Sequence, residues 1–302
     1  MFTDRQLQTR DIDTLKHWLR FRLGGYVVAV KHITAPSLVY RGVSCPTRPD
    51  TISRISYPPA DWVRALQRLN REGQPRFYCT VAAPAVFFEL HARQGDLIAL
   101  SEWEVTEPLW MHNLGYHPHA LRRIGAQKQH VSMRRTLTHA IPNETRQNEK
   151  LRRALSEAFT SDVREGEEYR YKQSIAIIES MSEEVQFDFP DDGSELPKHK
   201  KIAGTVYPAM RLRGDADNLV FLPEFVDSSL KFKTVRYVLV EAADEAASSY
   251  TFLTVGFANS FSGGAIEWKA DIGSEESRRS HIALEGGHWV LRDGAGRIYD
   301  FH

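Results

Sequence analysis

The strongest constraint on the fold lies in the last part of the chain. Residues 231–302 contain four strand-like runs, "KTVRYVLVEA", "SSYTFLTVGFA", "AIEWKADI" and "HWVLRDGAGRIYDF", each rich in β-branched and aromatic side chains. Within the third run Ile266, Trp268, Ala270 and Ile272 alternate with polar residues, the period of a strand with one buried face. Asp293 to Gly296 supply a hairpin turn. This pattern predicts a β-rich C-terminal extension.

The preceding residues read differently. Ile12, Leu15, Trp18, Leu19 and Leu23 fall at helical spacing, and "GGY" ends that helix. "YVVAV", "SLVYRGV", "RFYCTVA", "GDLIALSEWEV" and "IAGTVYPAMRL" read as strands. Trp62, Leu66 and Leu69 predict a short helix before the Gly73 turn, and Pro84 opens another in "PAVFFELHA". The basic stretch from His112 to Lys150 reads as helical or irregular. Leu151, Ala154, Leu155, Ala158 and Phe159 then mark one apolar helical face, and "YRYKQSIAIIESM" predicts a second helix. "SEEVQFDFPDDGSELPKHKK" has the composition of an exposed connection. The fold class expected is α+β: an N-terminal helix and strand over 1–37, a mixed body over 38–230 with a helical insertion at about 112–168, and the β-rich extension over 231–302.

Charge and composition remove several function classes. Lys plus Arg and Asp plus Glu are equal at 39 each, so no global basic field favours nucleic acid or anionic lipid. A nucleic-acid reading rests only on "ALRRIGAQKQHVSMRRTL", which a solvated helix face explains equally well. The two cysteines, Cys45 and Cys79, make no disulfide framework and no metal-ligand spacing, so a reducing, cytoplasmic setting is expected. The polar amino terminus lacks a signal-peptide apolar stretch, and no window reaches membrane-spanning length. His112, His117 and His119 cluster in "HNLGYHPH", but Pro118 intervenes and no acidic or cysteine partner is near, so no metal site is expected. Phosphate loop, nucleophile elbow and H-E-x-x-H are all absent, so the familiar enzyme signatures are missing, and no prosthetic group is expected.

What remains is a set of polar residues on apolar elements: Arg41, Arg68, Asn70, Tyr78 and Glu89. Their order carries a resemblance. "YRG", "RISYPP", R-x-N-x-x-G-x-P-x-F-Y with Glu89 eleven residues beyond it, "FT", "YKQSIAI", "GTVYP", Asn218 and "LPEFVD" together resemble the RES domain family, over roughly residues 38 to 230. No single one of these motifs is specific; their order and spacing is.

The resemblance implies an ADP-ribosyltransferase-like fold that consumes NAD as substrate, splitting its nicotinamide-ribosyl bond by hydrolysis, phosphorolysis or ADP-ribosyl transfer. It also implies a toxin neutralised by a helix-turn-helix antitoxin. Physically, cleavage leaves an oxocarbenium-like ribose cation, which a carboxylate such as Glu89 stabilises. Arg41 and Arg68 suit the pyrophosphate as planar multidentate clamps. Tyr57 and Tyr78 are candidates for stacking on nicotinamide or ribose. Arg41 and Tyr78 join Glu89 as catalytic candidates; Asn70, Tyr207 and Ala209 join the cofactor-binding set. Where the family writes Y-P-S this chain has Tyr207, Pro208 and Ala209, and the missing hydroxyl supports an alternative, a catalytically degenerate nucleotide-binding or interaction module. The extension could cover a sheet edge, mediate self-association into a homo-oligomer or sense a trigger.

Overall fold

The computed structural model describes residues 1–24, 30–126, 146–182, 201–244, 248–285 and 288–299. Two helices open the chain. α1 (Asp4–Thr9) starts in a capping box between Thr3 and Gln6, and α2 (Ile12–Leu23) starts at Asp11, whose carboxylate accepts from the Thr14 N–H at 2.6 Å. The predicted face of α2 buries Ile12, Leu15 and Leu19. Of "YVVAV", residues 26–29 lie outside the described residues, and the strand observed is β1 (Val30–Ile33).

β2 (Ser37–Ser44) and β3 (Phe77–Thr80) follow the sequence reading, as does the short helix α3 (Ala85–Glu89), which Pro84 caps. The segment between β2 and β3 departs from it. Instead of a helix over 62–69, a single 3-10 turn at Ala60–Trp62 gives way to irregular backbone. The reason is competition: Gly73 N–H bonds to the Val63 carbonyl and Gln67 bridges Asn70, so the backbone turns back on itself rather than winding on.

β4 (Leu97–Val105) leads to β5 (Leu109–Asn113), a strand the sequence reading did not assign, whose last two residues fall at the start of the stretch it read as helical or irregular. β5 lies between β1 and a parallel neighbour, and four of its five residues are buried. α4 (Pro118–Arg123) begins at His117, whose ring nitrogen accepts from the His119 N–H at 3.1 Å. Residues 127–145 of the basic stretch lie outside the described residues. α5 (Arg146–Phe159) and α6 (Tyr171–Ser182) are the two predicted helices; Leu155, Ala158 and Phe159 of α5 are buried, and α6 packs on α2. The acidic connection at 183–200 is also outside the described residues.

β6 (Ile202–Pro208), β7 (Asp217–Phe221) and α7 (Pro223–Ser229) complete the body. β8 (Leu230–Asp244) and β9 (Ser249–Ala258) continue directly from it, β9 with clean in–out alternation. β10 (Ser260–Ser262) and β11 (Ala265–Glu267) form a small separate hairpin. The alternation predicted through Ile272 stops at Glu267, because the Trp268 indole N–H donates to the Pro49 carbonyl at 2.8 Å and pulls the chain off line. α8 (Glu275–Arg278) precedes β12 (Arg279–Glu285), β13 (His288–Asp293) and β14 (Ile298–Tyr299), and the Asp293–Gly296 turn closes the last hairpin. β12 was not foreseen from sequence.

Among the described residues, twelve strands form one mixed sheet in the order β1-β5-β6-β7-β3-β2-β4-β8-β9-β12-β13-β14. The class is α+β. The extension's strands add to the sheet of the body, since β8 pairs along most of its length with β4. Three apolar clusters hold this together: one around Phe77, Trp103 and Phe221, one joining α3 to β9 and β12, and one between the helices α2, α5, α6 and the β6–β7 surface. Gly42 on β2 is required by the second. A Cβ there would stand 2.1 Å from the Val86 methyl of α3, so only glycine lets that helix lie directly on the strand.

Candidate active site

A cleft of about 600 Å³ opens where β2, β3 and α3 meet the turn at 67–76, the start of α6 and the loop after β6. Arg41, Arg68, Tyr78, Glu89 and Tyr207, distant in sequence, all line it.

Arg41 projects from β2. Its Nε donates to the carbonyls of Ile55 and Ser56 at 3.2 and 3.1 Å, its Nη1 to the Tyr78 carbonyl at 2.7 Å, and the guanidinium lies 5.1 Å from the centre of the Phe77 ring. All of these partners are neutral. Burial holds the pKa down to about 10, which leaves a full positive charge at neutral pH with no carboxylate paired to it among the described residues.

Glu89 is the last residue of α3, after four consecutive buried residues. Phe87 stacks on Phe252 of β9 at 4.4 Å, and Phe88 meets Tyr250 and Trp289 edge-on at 4.6 and 4.5 Å. Trp289 also donates to the Leu212 carbonyl at 3.4 Å, beside the loop that carries Arg211. The extension therefore backs both the helix bearing Glu89 and one cleft loop. Open to solvent through the mouth yet crowded by protein, the Glu89 carboxyl has its pKa raised by desolvation; Asn218 and the charges of Arg68 and Arg211 pull it back only in part.

Arg68 reaches across to α5. Its Nη1 donates to the terminal carbonyls of Ala158 and Phe159 at 3.4 and 3.1 Å, its Nη2 to Ser161 at 3.1 Å, and it lies over the rings of Tyr171 and Tyr207. A cation suits these carbonyls, which carry the negative end of the helix dipole. The Ser174 hydroxyl donates to the Arg68 carbonyl at 2.6 Å and fixes its backbone. Tyr78 turns its phenol away from solvent to Asn70, and burial raises its pKa. Tyr207 is buried, and desolvation together with the nearby Glu89 charge keeps its phenol protonated.

Three expected site residues do not line the cleft. Tyr57 donates to both oxygens of Asp227 on α7 at 3.0 and 2.9 Å, which turns it outward. Asn70 is 1% exposed and occupied in holding Tyr78 and the Arg71 carbonyl. Ala209 is fully buried in the cluster that packs α3, its N–H bonded to the Ala216 carbonyl at 2.8 Å. Conversely, Arg76, Asp162, Tyr171 and Arg211 line the cleft unforeseen. Arg76 sits at an unassigned position of the R-x-N-x-x-G-x-P-x-F-Y run, and Arg211 lies two residues past Ala209; proximity to a motif was their only signal.

The cleft thus carries four guanidinium groups against two carboxylates, Glu89 and Asp162. Arg211 stands 3.9 Å from Asp162; Arg41, Arg68 and Arg76 have no ion pair among the described residues. Such an excess of positive charge attracts an anion. Among the described residues no group of histidines, cysteines and carboxylates is arranged to hold a metal ion, and no helix is long and apolar enough to cross a membrane. His117 instead meets Glu149 at 2.6 Å.

The chain is an α+β protein with an arginine-rich, carboxylate-bearing cleft. No protein-family model and no curated protein matches it. Among solved structures it is similar to a chain of the M. tuberculosis MbcT–MbcA toxin–antitoxin complex, at 13% identity and a TM-score of 0.37, over 74% of this chain and 93% of that chain.

Proposed function

We propose that the protein is a RES-like enzyme that degrades NAD by cleaving the nicotinamide-ribosyl bond. The observation that carries this reading is the convergence of Arg41, Arg68 and Glu89 in one cleft with an excess of unpaired guanidinium groups. The pyrophosphate would lie among the arginines, and Glu89 would face the ribose carbon that loses its base. Heterolysis sends both bonding electrons to the ring nitrogen, so nicotinamide leaves as a neutral molecule and positive charge develops on the ribose. A carboxylate already in place stabilises that charge without reorganisation. Water, phosphate or a protein nucleophile then takes the ADP-ribosyl group.

The same reading makes the protein a toxin or defence effector, held in check by a helix-turn-helix antitoxin. Release of free nicotinamide from NAD by the purified protein tests the enzyme, and relief of growth inhibition on co-expression of a candidate helix-turn-helix protein tests the pairing. A second reading is favoured by Ala209: a degenerate module that keeps the pocket for recognition. Binding of NAD without nicotinamide release would select it.

A further inference from the structure

α3 and α4 end in the same way. In α4 the N–H of Gly125 bonds to the Arg122 carbonyl at 3.1 Å and that of Ala126 to the Leu121 carbonyl at 3.0 Å, and Gly125 has a φ of 76°. In α3 the N–H of His91 bonds to the Phe88 carbonyl at 3.2 Å and that of Ala92 to the Phe87 carbonyl at 3.0 Å, and His91 has a φ of 50°. Both pairs of bonds close a helix through a left-handed residue just past the cap, a position that glycine fills without strain. α3 places a histidine there.

Among the described residues His91, Arg213 and Ser248 are the non-glycine residues with a positive φ, and of these His91 alone lines the cleft. It stands two residues beyond Glu89, which lines the same cleft. Both are exposed, while Phe88 before them and Ala92 after them are buried. The helix end is fixed, since Val86 and Leu90 lie so close on Gly42 of β2 that a Cβ there would meet their methyl groups at 2.1 and 2.8 Å. The imidazole is thus carried beside the carboxylate on a rigid element, at a backbone cost that closing the helix does not require, as Gly125 shows.

We propose that His91 is a further catalytic residue of this cleft, the base that takes a proton from the attacking water; the inference rests on the NAD reading above. The bond from ribose to nicotinamide breaks with both electrons going to the ring nitrogen. The water oxygen bonds to the same ribose carbon, and the proton it sheds passes to the imidazole and then to solvent. NAD and water thereby give ADP-ribose, nicotinamide and one proton. An imidazole accepts and returns protons near neutral pH, and Glu89 is left to face the developing cation. The role also selects water among the acceptors, because an anion such as phosphate needs no base.

The test compares nicotinamide release by the full-length protein with that of His91→Gly and His91→Asn, residues that both accept a left-handed backbone. Each variant is expected to fold with a Tm at or above that of the wild type and to lose kcat by about 10², the lower end of what a positioned base supplies, with KM for NAD little changed. Azide is a nucleophile with no proton to remove, and it is expected to restore nicotinamide release in both variants, with ADP-ribosyl azide as the product. Should His91→Gly fail to fold, His91→Asn carries the test. Wild-type kcat in a folded variant, or a lost kcat that azide does not restore, would overturn this role while leaving the NAD reading in place. A wild-type protein that releases no nicotinamide overturns both.

Discussion

The Tyr78 phenol donates to the Asn70 side-chain oxygen at 2.8 Å while accepting the Leu69 N–H at 3.0 Å. One hydroxyl thereby fastens the irregular turn that carries Arg68 to the strand beneath it. Tyr78→Phe leaves a buried carbonyl and a buried N–H without a partner, at a cost of about 1–3 kcal/mol. A lower midpoint in denaturant titration is expected, with KM for NAD rising as the Arg68 turn loosens. Loss of turnover with unchanged stability would assign Tyr78 a direct chemical role instead.

Glu89→Gln separates charge from shape. Nicotinamide release is expected to fall by roughly 10²–10³, the range seen when a preorganised electrostatic group is removed. Stability should move the other way. Because the folded pKa is raised, the contribution of Glu89 titration to stability is present below the unfolded carboxyl value and is lost as pH rises through the folded one. The Gln variant should therefore be more stable than wild type at neutral pH, with the difference shrinking on acidification below the ordinary glutamate range. Thermal melts at neutral and acidic pH check the sign; a Gln variant less stable at neutral pH contradicts it.

Arg68 and Arg211 differ in how much structure they carry. Arg211 is held by a loose, solvent-exposed pairing with Asp162 at 3.9 Å, so Arg211→Ala is expected to raise KM several-fold with little change in Tm. Arg68→Lys keeps the charge but loses the fork that spans Ala158, Phe159 and Ser161, so both KM and stability should suffer, the latter by about 1 kcal/mol. Equal effects of the two substitutions on Tm would refute the distinction.

Trp289→Ala tests whether the extension supports the site. The indole packs on Phe88 and bonds to the Leu212 carbonyl beside Arg211, and it does not itself line the cleft. A stability loss on the order of 2 kcal/mol is expected from lost burial and ring contact, together with a fall in kcat as α3 relaxes. Wild-type kcat in a folded Trp289→Ala protein would show the extension to be dispensable for placement of Glu89.

Elements with one wet face were legible in the sequence. β9 and α5 declare themselves because alternation or helical spacing survives on a half-buried surface. β5 was hidden because both its faces are covered, and its "LWMHN" run carries no period to read. The false helix at 62–69 has suitable apolar spacing, but ties from Gly73 to Val63 and from Ser174 to Arg68 overrule it. At the site, Arg41, Arg68 and Glu89 could be read because ordered motifs flank them. Arg76, Asp162 and Arg211 lie on connections between elements, where neither periodicity nor spacing reports what tertiary packing brings together.

The order of the strands bears on how the protein is made. β3, with Tyr78, lies between β2 and β7, and the cleft is walled on one side by Asn218 of β7. A ribosome adding about 5–20 residues per second needs on the order of ten to thirty seconds to proceed from Arg41 to Asn218. During that interval the emerging chain holds Glu89 and Arg68 but lacks the strand that closes their wall. On the reading proposed above, fragments released early would lack a complete cleft, and a neutralising partner would have that time to meet the chain before it becomes competent.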